Sequence, residues 1–177
     1  MTPDEQALID RATAGDKKAF GALVRRYQDR IFAFVMRMTH NKDTALDLTQ
    51  DTILAAYQNL GGFREEATFS TWLFQIAANK TINSLKRSAR ETALDDVDTV
   101  NPVSDHPDAG YVQKERERLV AKAITGLPEK QRLAFGLRYY EHMKFEEIAC
   151  VMNVSVSAAK TDFAEALKKL KTRLSES

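Results

Sequence analysis

A single cysteine, seven glycines, four prolines and one tryptophan in 177 residues exclude several kinds of protein at once. The lone thiol, Cys150, leaves no internal disulfide and no zinc centre of several thiolates, so nothing demands an oxidising compartment and the cytoplasm is the expected location. The longest apolar run, Ile31 to Met36, is far short of the roughly 20 residues that cross a bilayer. Neither end shows a basic stretch followed by an apolar core, so no export signal or membrane insertion is expected. His40, His106 and His142 are scattered, and no glycine-rich phosphate loop or nucleophile beside a base is visible. Catalytic residues, metal and cofactors are therefore expected to be absent, and an enzyme is the weakest of the functional readings.

What remains is 44% apolar and 29% charged, the balance of amphipathic helices, and an all-α fold is expected. Net charge is only +1, but it is unevenly placed. Residues 1–87 carry 12 basic and 10 acidic side chains, 88–113 carry 1 and 6, and 114–177 carry 13 and 9. Two mildly basic lobes flank an acidic link.

Helical spacing runs from Asp4 to about Arg87, with breaks near Gly15, near His40-Asn41-Lys42 and at Gly61-Gly62, which gives four helices. The second is apolar on several sides (Phe20, Leu23, Val24, Tyr27, Ile31, Phe32, Phe34, Val35), as a central helix must be. Periodicity fails over 88–113, where Asp95, Asp96, Asp98, Asp105 and Asp108 gather with Pro102 and Pro107. This segment reads as a flexible acidic linker. Helical spacing resumes at Leu119, Ala123, Ile124 and Leu127; Leu127-Pro128 ends one helix and opens the next, and two more follow, divided at Asn153-Val154-Ser155.

The stretch Phe145 to Lys160 fits a helix-turn-helix, with small Ala149 where the helices cross, Ile148 and Met152 facing the core and Val154 plugging the turn. Ser155 or Ser157 can cap the second helix, which would then enter a major groove. An ordinary helical hairpin satisfies the same pattern.

In the N-terminal lobe, Asp43 to Tyr57 is amphipathic: Leu46, Ile53 and Tyr57 fall near one stripe, and Asp47, Gln50 and Asp51 stay on exposed sides suited to another protein's basic helices. The segment Phe69-Ser70-Thr71-Trp72-Leu73-Phe74-Gln75-Ile76-Ala77-Ala78-Asn79-Lys80 places the only tryptophan ahead of Asn79, Asn83, Lys86 and Arg87. An exposed aromatic beside amides and cations suits single-stranded nucleic acid, although Trp72 fits a core position equally well.

Together these strings resemble the RNA polymerase sigma factors of the sigma-70 family, specifically the extracytoplasmic-function subfamily. Phe69-x-x-Trp72-Leu73-x-x-Ile76-Ala77-x-Asn79 resembles their second region, along with Gly15-Asp16, Ala19-Phe20, Leu23-Val24 and Tyr27. Leu127-Pro128-Glu129, Arg132, Leu137-Arg138-Tyr139-Tyr140 and Glu146-Glu147-Ile148-Ala149 resemble their fourth region. The resemblance implies a region 2 bundle over 1–87, the linker over 88–113 and a region 4 helix-turn-helix over 114–177. Its implied partners are core RNA polymerase, promoter DNA and an anti-sigma factor, and its implied role is promoter recognition and opening. A regulator that binds duplex DNA without joining the polymerase is the alternative.

Carried over residue by residue, the resemblance puts Asp47, Gln50 and Asp51 on the polymerase-docking surface. It puts Phe63, Arg64, Phe69, Thr71, Trp72, Asn79, Lys80, Asn83, Lys86 and Arg87 around the minus-ten element. Ser155, Ser157, Ala158, Lys160, Thr161 and Lys168 would face the minus-thirty-five element. The chain departs from the family pattern at Leu46 (often an acid), Ala78 (often Arg) and Asn83 (often Asp). In the recognition helix Asp162, Glu165 and Leu167 stand where arginines are common. Lys168, Lys169, Lys171 and Arg173 remain to hold phosphates or to form a solvated basic face.

Overall fold

In a computed structural model, residues 3–63, 67–92 and 119–175 are described, and all their regular structure is helical. The chain divides into two compact units, Met1–Glu91 and Thr92–Ser177. The acidic linker lies almost wholly outside the described residues.

The N-terminal unit holds α1 (Pro3–Thr13), α2 (Lys17–Thr39), α3 (Lys42–Asn59) and α4 (Phe69–Thr92), the last continuing past Arg87. A 3-10 turn, Leu60–Gly62, follows α3. Each break has a local cause. Gly15, at φ +95°, lets the chain turn, and the Asp16 carboxylate then caps α2 by accepting from the amides of Lys18 (2.9 Å) and Ala19 (3.1 Å). The Arg11 guanidinium, 2.6 Å from the same carboxylate, and the Ala19 amide hold the Asp16 carboxyl below its ordinary range, keeping the cap charged. α2 ends on His40 in the left-handed conformation, and the Asn41 side chain caps α3 through the Thr44 amide at 2.9 Å.

α2 is the central helix, packed against α1 and α3, and it buries Phe20, Leu23, Tyr27, Ile31, Phe34 and Val35. The face that α3 turns inward is made, apart from Leu48, of residues smaller than Leu46 and Tyr57. Ala45, Leu48, Thr49, Thr52 and Ala56 are buried, while Leu46 and Tyr57 are 43% and 45% exposed. The buried hydroxyls cost little, because Thr49 donates to the Ala45 carbonyl (2.6 Å) and Thr52 to that of Leu48 (2.7 Å). α1 is fastened to α2 by a buried hydrogen bond from the Tyr27 phenol to the Glu5 carboxylate. Burial, then that bond, pushes the phenol's pKa well above its ordinary value.

The C-terminal unit begins with helical residues 119–125 (α5), followed by α6 (Glu129–Tyr139), α7 (Phe145–Met152) and α8 (Val156–Ser175). Pro128 stands at the N-cap of α6, where a missing amide hydrogen costs nothing. Ala123, Ile124 and Leu127 pack with Phe135, Ala166 and Leu170 into one core, against which Phe163 lies.

Arg173, near the end of α8, reaches back to donate to the Ala123 carbonyl at 2.9 Å. Gly126 makes room for it, since a Cβ there would stand 2.3 Å from the guanidinium. Gly126→Ala is expected to displace Arg173 and lower stability by about 1 kcal/mol, the scale of one lost hydrogen bond. In urea unfolding, Gly126→Ala combined with Arg173→Ala should be no worse than Arg173→Ala alone. Full additivity would show that the two positions do not share this contact.

Candidate nucleic-acid interface

α4 starts from a built corner. Thr68 caps it by accepting from the Thr71 amide at 3.1 Å, and the Thr68 and Thr71 hydroxyls are 2.8 Å apart. Phe63, Phe69 and Trp72 form a triangle with ring centroids 5.2 to 5.7 Å apart, in tilted and edge-on arrangements that favour aromatic contact. Within it, Phe69 is 2% exposed and also meets Tyr27, so it supports the surface from behind. Thr71 is 1% exposed, with its side chain engaged at the helix start. These two expected DNA contacts are therefore interior positions. Phe63 and Trp72 are half-buried, with part of each ring left to solvent. Arg64 lies outside the described residues.

From Trp72 the helix repeat carries the same face through Asn79, Asn83, Lys86, Arg87 and Arg90, all five exposed. Lys80 is half-buried beside that row. Neither amide, nor Lys86 or Arg87, makes a side-chain hydrogen bond or ion pair among the described residues. Such an order of aromatic rings, then amides, then cations can stack a base, contact its edge and neutralise the phosphates beyond. Loss of apolar periodicity assigns Arg90 to the linker, but it lies on α4, and continuation of the cationic row at helical spacing is the sequence signal for it.

On α3, Asp43, Asp47 and Asp51 make an exposed ridge at intervals of four, and Gln50 is exposed as well. Leu46 and Leu54, 43% and 55% exposed, flank Gln50 in the adjacent row. Sequence reasoning found the polar half of this surface and missed its two leucines.

In the C-terminal unit the turn between α7 and α8 passes through Asn153, left-handed at φ 53°. The amide of Val154 donates to the Ala149 carbonyl at 3.0 Å, which tucks the turn beneath α7. Ile148, Ala149 and Val151 are buried and Met152 half-buried. Of the two candidate caps, Ser155 is the one used, accepting from the Ala158 amide at 3.1 Å. Ser157, Lys160, Thr161 and Lys168 are exposed on α8, and Ala158 is half-buried. Arg173, one of the cations expected at phosphates, is exposed and donates one N–H to the Ala123 carbonyl.

A model described as Sigma-70 region 2 matches residues 23–91, and one described as Sigma-70, region 4 matches residues 117–170. The RNA polymerase sigma-H factor of Pseudomonas aeruginosa is 34% identical over 89% of this chain and 86% of its own length. This chain belongs to the sigma-70 family, in its extracytoplasmic-function branch. The ECF RNA polymerase sigma-E factor of Haemophilus influenzae is 32% identical over 96% of this chain and 95% of its own. A co-crystal structure of the sigma factor RpoE with the anti-sigma factor NepR from Bartonella quintana superimposes with a TM-score of 0.75 at 25% identity, over 89% of this chain and 98% of that one. As a sigma factor the chain directs RNA polymerase to promoters, with the aromatic corner and cationic row in region 2 and the helix-turn-helix in region 4. No described helix is long and apolar enough to cross a membrane, and no described cluster of three His, Cys, Asp or Glu residues could hold a metal.

Proposed function

We propose that this sigma factor divides promoter recognition among three surfaces. Asp47, Gln50 and Asp51, with Leu46 and Leu54, dock on core RNA polymerase. Phe63, just after the 3-10 turn, and the α4 face of Trp72, Asn79, Lys80, Asn83, Lys86 and Arg87 receive the minus-ten element as its strands part. Ser157, Lys160, Thr161 and Lys168 of α8 meet the upstream duplex, beside Ala158 and the capping Ser155. Phe69 and Thr71 act by holding Trp72 in place. The observation that carries this reading is the shared face of Trp72, Asn79, Asn83, Lys86 and Arg87, with polar groups that have no side-chain partner among the described residues beside half-covered rings.

Opening then needs no covalent step. Flipping a base costs a few kcal/mol, which stacking on an aromatic face and contacts to the base edge can return. The chain acts in the cytoplasm and its regulator is an anti-sigma factor, a reading supported by the complex with NepR that its structural relative forms.

Purified protein added to core polymerase is expected to give promoter-dependent transcripts. Asn79→Ala should reduce open-complex formation by roughly five- to tenfold, the lower end of one lost base contact, with polymerase affinity unchanged. Permanganate reactivity of unpaired thymines together with polymerase binding measures both. A protein that never binds core polymerase, or an Asn79→Ala variant that opens promoters as well as the parent, would overturn this assignment.

A further inference from the structure

α8 is unevenly built around its circumference. It buries Ala159, Ala166 and Leu170. Opposite them, at helical spacing, run Ser157, Thr161, Ala164 and Lys168, all exposed. Three of these four are short, and the Thr161 hydroxyl already donates to the Ser157 carbonyl at 3.0 Å. One flank carries Ala158, Asp162, Glu165 and Lys169. Asp162 and Glu165 are half-buried there, and neither makes an ion pair or side-chain hydrogen bond among the described residues. The other flank carries Lys160, Leu167 and Lys171, with the Lys160 ammonium 5.8 Å from the centre of the Phe145 ring.

The three arginines of residues 119–175 each donate to a main-chain carbonyl, Arg132 and Arg138 half-buried and Arg173 exposed at the far end of α8. Arg132 donates to the Thr125 carbonyl at 3.0 Å, Arg138 to that of Met143 at 2.7 Å and Arg173 to that of Ala123 at 2.9 Å. Bidentate reading of guanine, the commonest specific contact in a major groove, is made by Arg or Lys. Near its start α8 has no arginine, and its one lysine there, Lys160, holds its ammonium over the Phe145 ring. It presents lysines, which serve as point charges towards phosphates, and two carboxylates, which phosphates repel.

We infer that the C-terminal unit is a low-discrimination duplex clamp. Its lysines hold upstream DNA through the backbone, Asp162 and Glu165 limit the strength of that hold, and promoter choice is made on the α4 face. This inference rests on the surface assignments proposed above. It divides specificity unequally between two surfaces that both touch DNA.

The test uses the full chain with core polymerase on a promoter library in which the upstream and minus-ten blocks are randomised separately. Transcripts are selected and sequenced. Selection is expected to concentrate at the minus-ten block, where one substitution changes output by roughly five- to a hundredfold, while upstream substitutions change it less than about threefold. Asp162→Arg with Glu165→Arg should tighten binding to all upstream sequences alike and steepen the logarithmic salt dependence by about two, one for each added phosphate contact.

An upstream block selected as sharply as the minus-ten block would overturn the clamp while leaving the sigma-factor surfaces standing. So would an Asp162→Asn variant that loses a preference for cytosine, since that carboxylate would then be accepting from a base amino group. If no library member is transcribed with core polymerase, the surface assignments fail, and the clamp with them.

Discussion

Phe69→Ala is expected to destabilise the N-terminal unit by about 3–5 kcal/mol, the range for deleting a buried phenyl ring. Phe69 opens α4, is 2% exposed and touches three other rings, those of Tyr27, Phe63 and Trp72. Domains of this size are stable by only about 5–15 kcal/mol, so the loss takes a large share of the total. Trp72, the only tryptophan, packs on Phe69 at 5.6 Å, and its fluorescence in urea reports this unit alone. Phe69→Leu refills most of the space and should restore both folding and promoter opening. A Phe69→Leu protein of near-parental stability and unchanged Trp72 emission that fails to open promoters would show instead that the ring itself meets DNA.

That outcome bears on how much of the interface could be read from the chain. Breaks between helices were legible because each has a local chemical cause: Gly15 with Asp16, Asn41, Pro128 and Ser155 all act within a few residues of their own positions. The cationic and amide row of α4 was legible because one helix carries it at its own repeat. Depth was harder. Phe69 and Thr71 share the motif with Trp72, and spacing does not say which member of an aromatic cluster keeps a face to water. On α3 the large residues suggested one inward stripe. Close packing on α2 selected the smaller Ala45, Thr49, Thr52 and Ala56 instead and left Leu46 and Tyr57 outside. Two contacts depend wholly on tertiary folding: Tyr27 on Glu5, and Arg173 on Ala123. The second uses one N–H of an exposed guanidinium to tie the end of α8 to the start of the C-terminal unit.

Asp47→Lys combined with Asp51→Lys is expected to weaken binding to core polymerase by roughly a hundred- to a thousandfold, since like charges placed together at an interface cost several kcal/mol. Both carboxylates are exposed and without a partner among the described residues, so the substitution leaves the α3 core contacts intact. Stability should move the other way under the milder change Asp47→Asn. Asp43, Asp47 and Asp51 lie four residues apart on one face, and each like-charged neighbour costs an isolated helix roughly 0.2–0.5 kcal/mol. Removing the middle charge relieves two such repulsions, so unfolding should shift to slightly higher urea while polymerase affinity falls. A ridge retained only as solvated surface would give the first shift without the second. Leu54→Ala separates the apolar share of docking from the ionic one. Leu54 is 55% exposed, so its loss should cost affinity at low and high salt alike, whereas the charge-dependent loss from Asp47→Asn should shrink as salt screens the ridge. No loss of affinity from Leu54→Ala at either salt would mean that Leu54 takes no part in docking and that the acidic row acts without it.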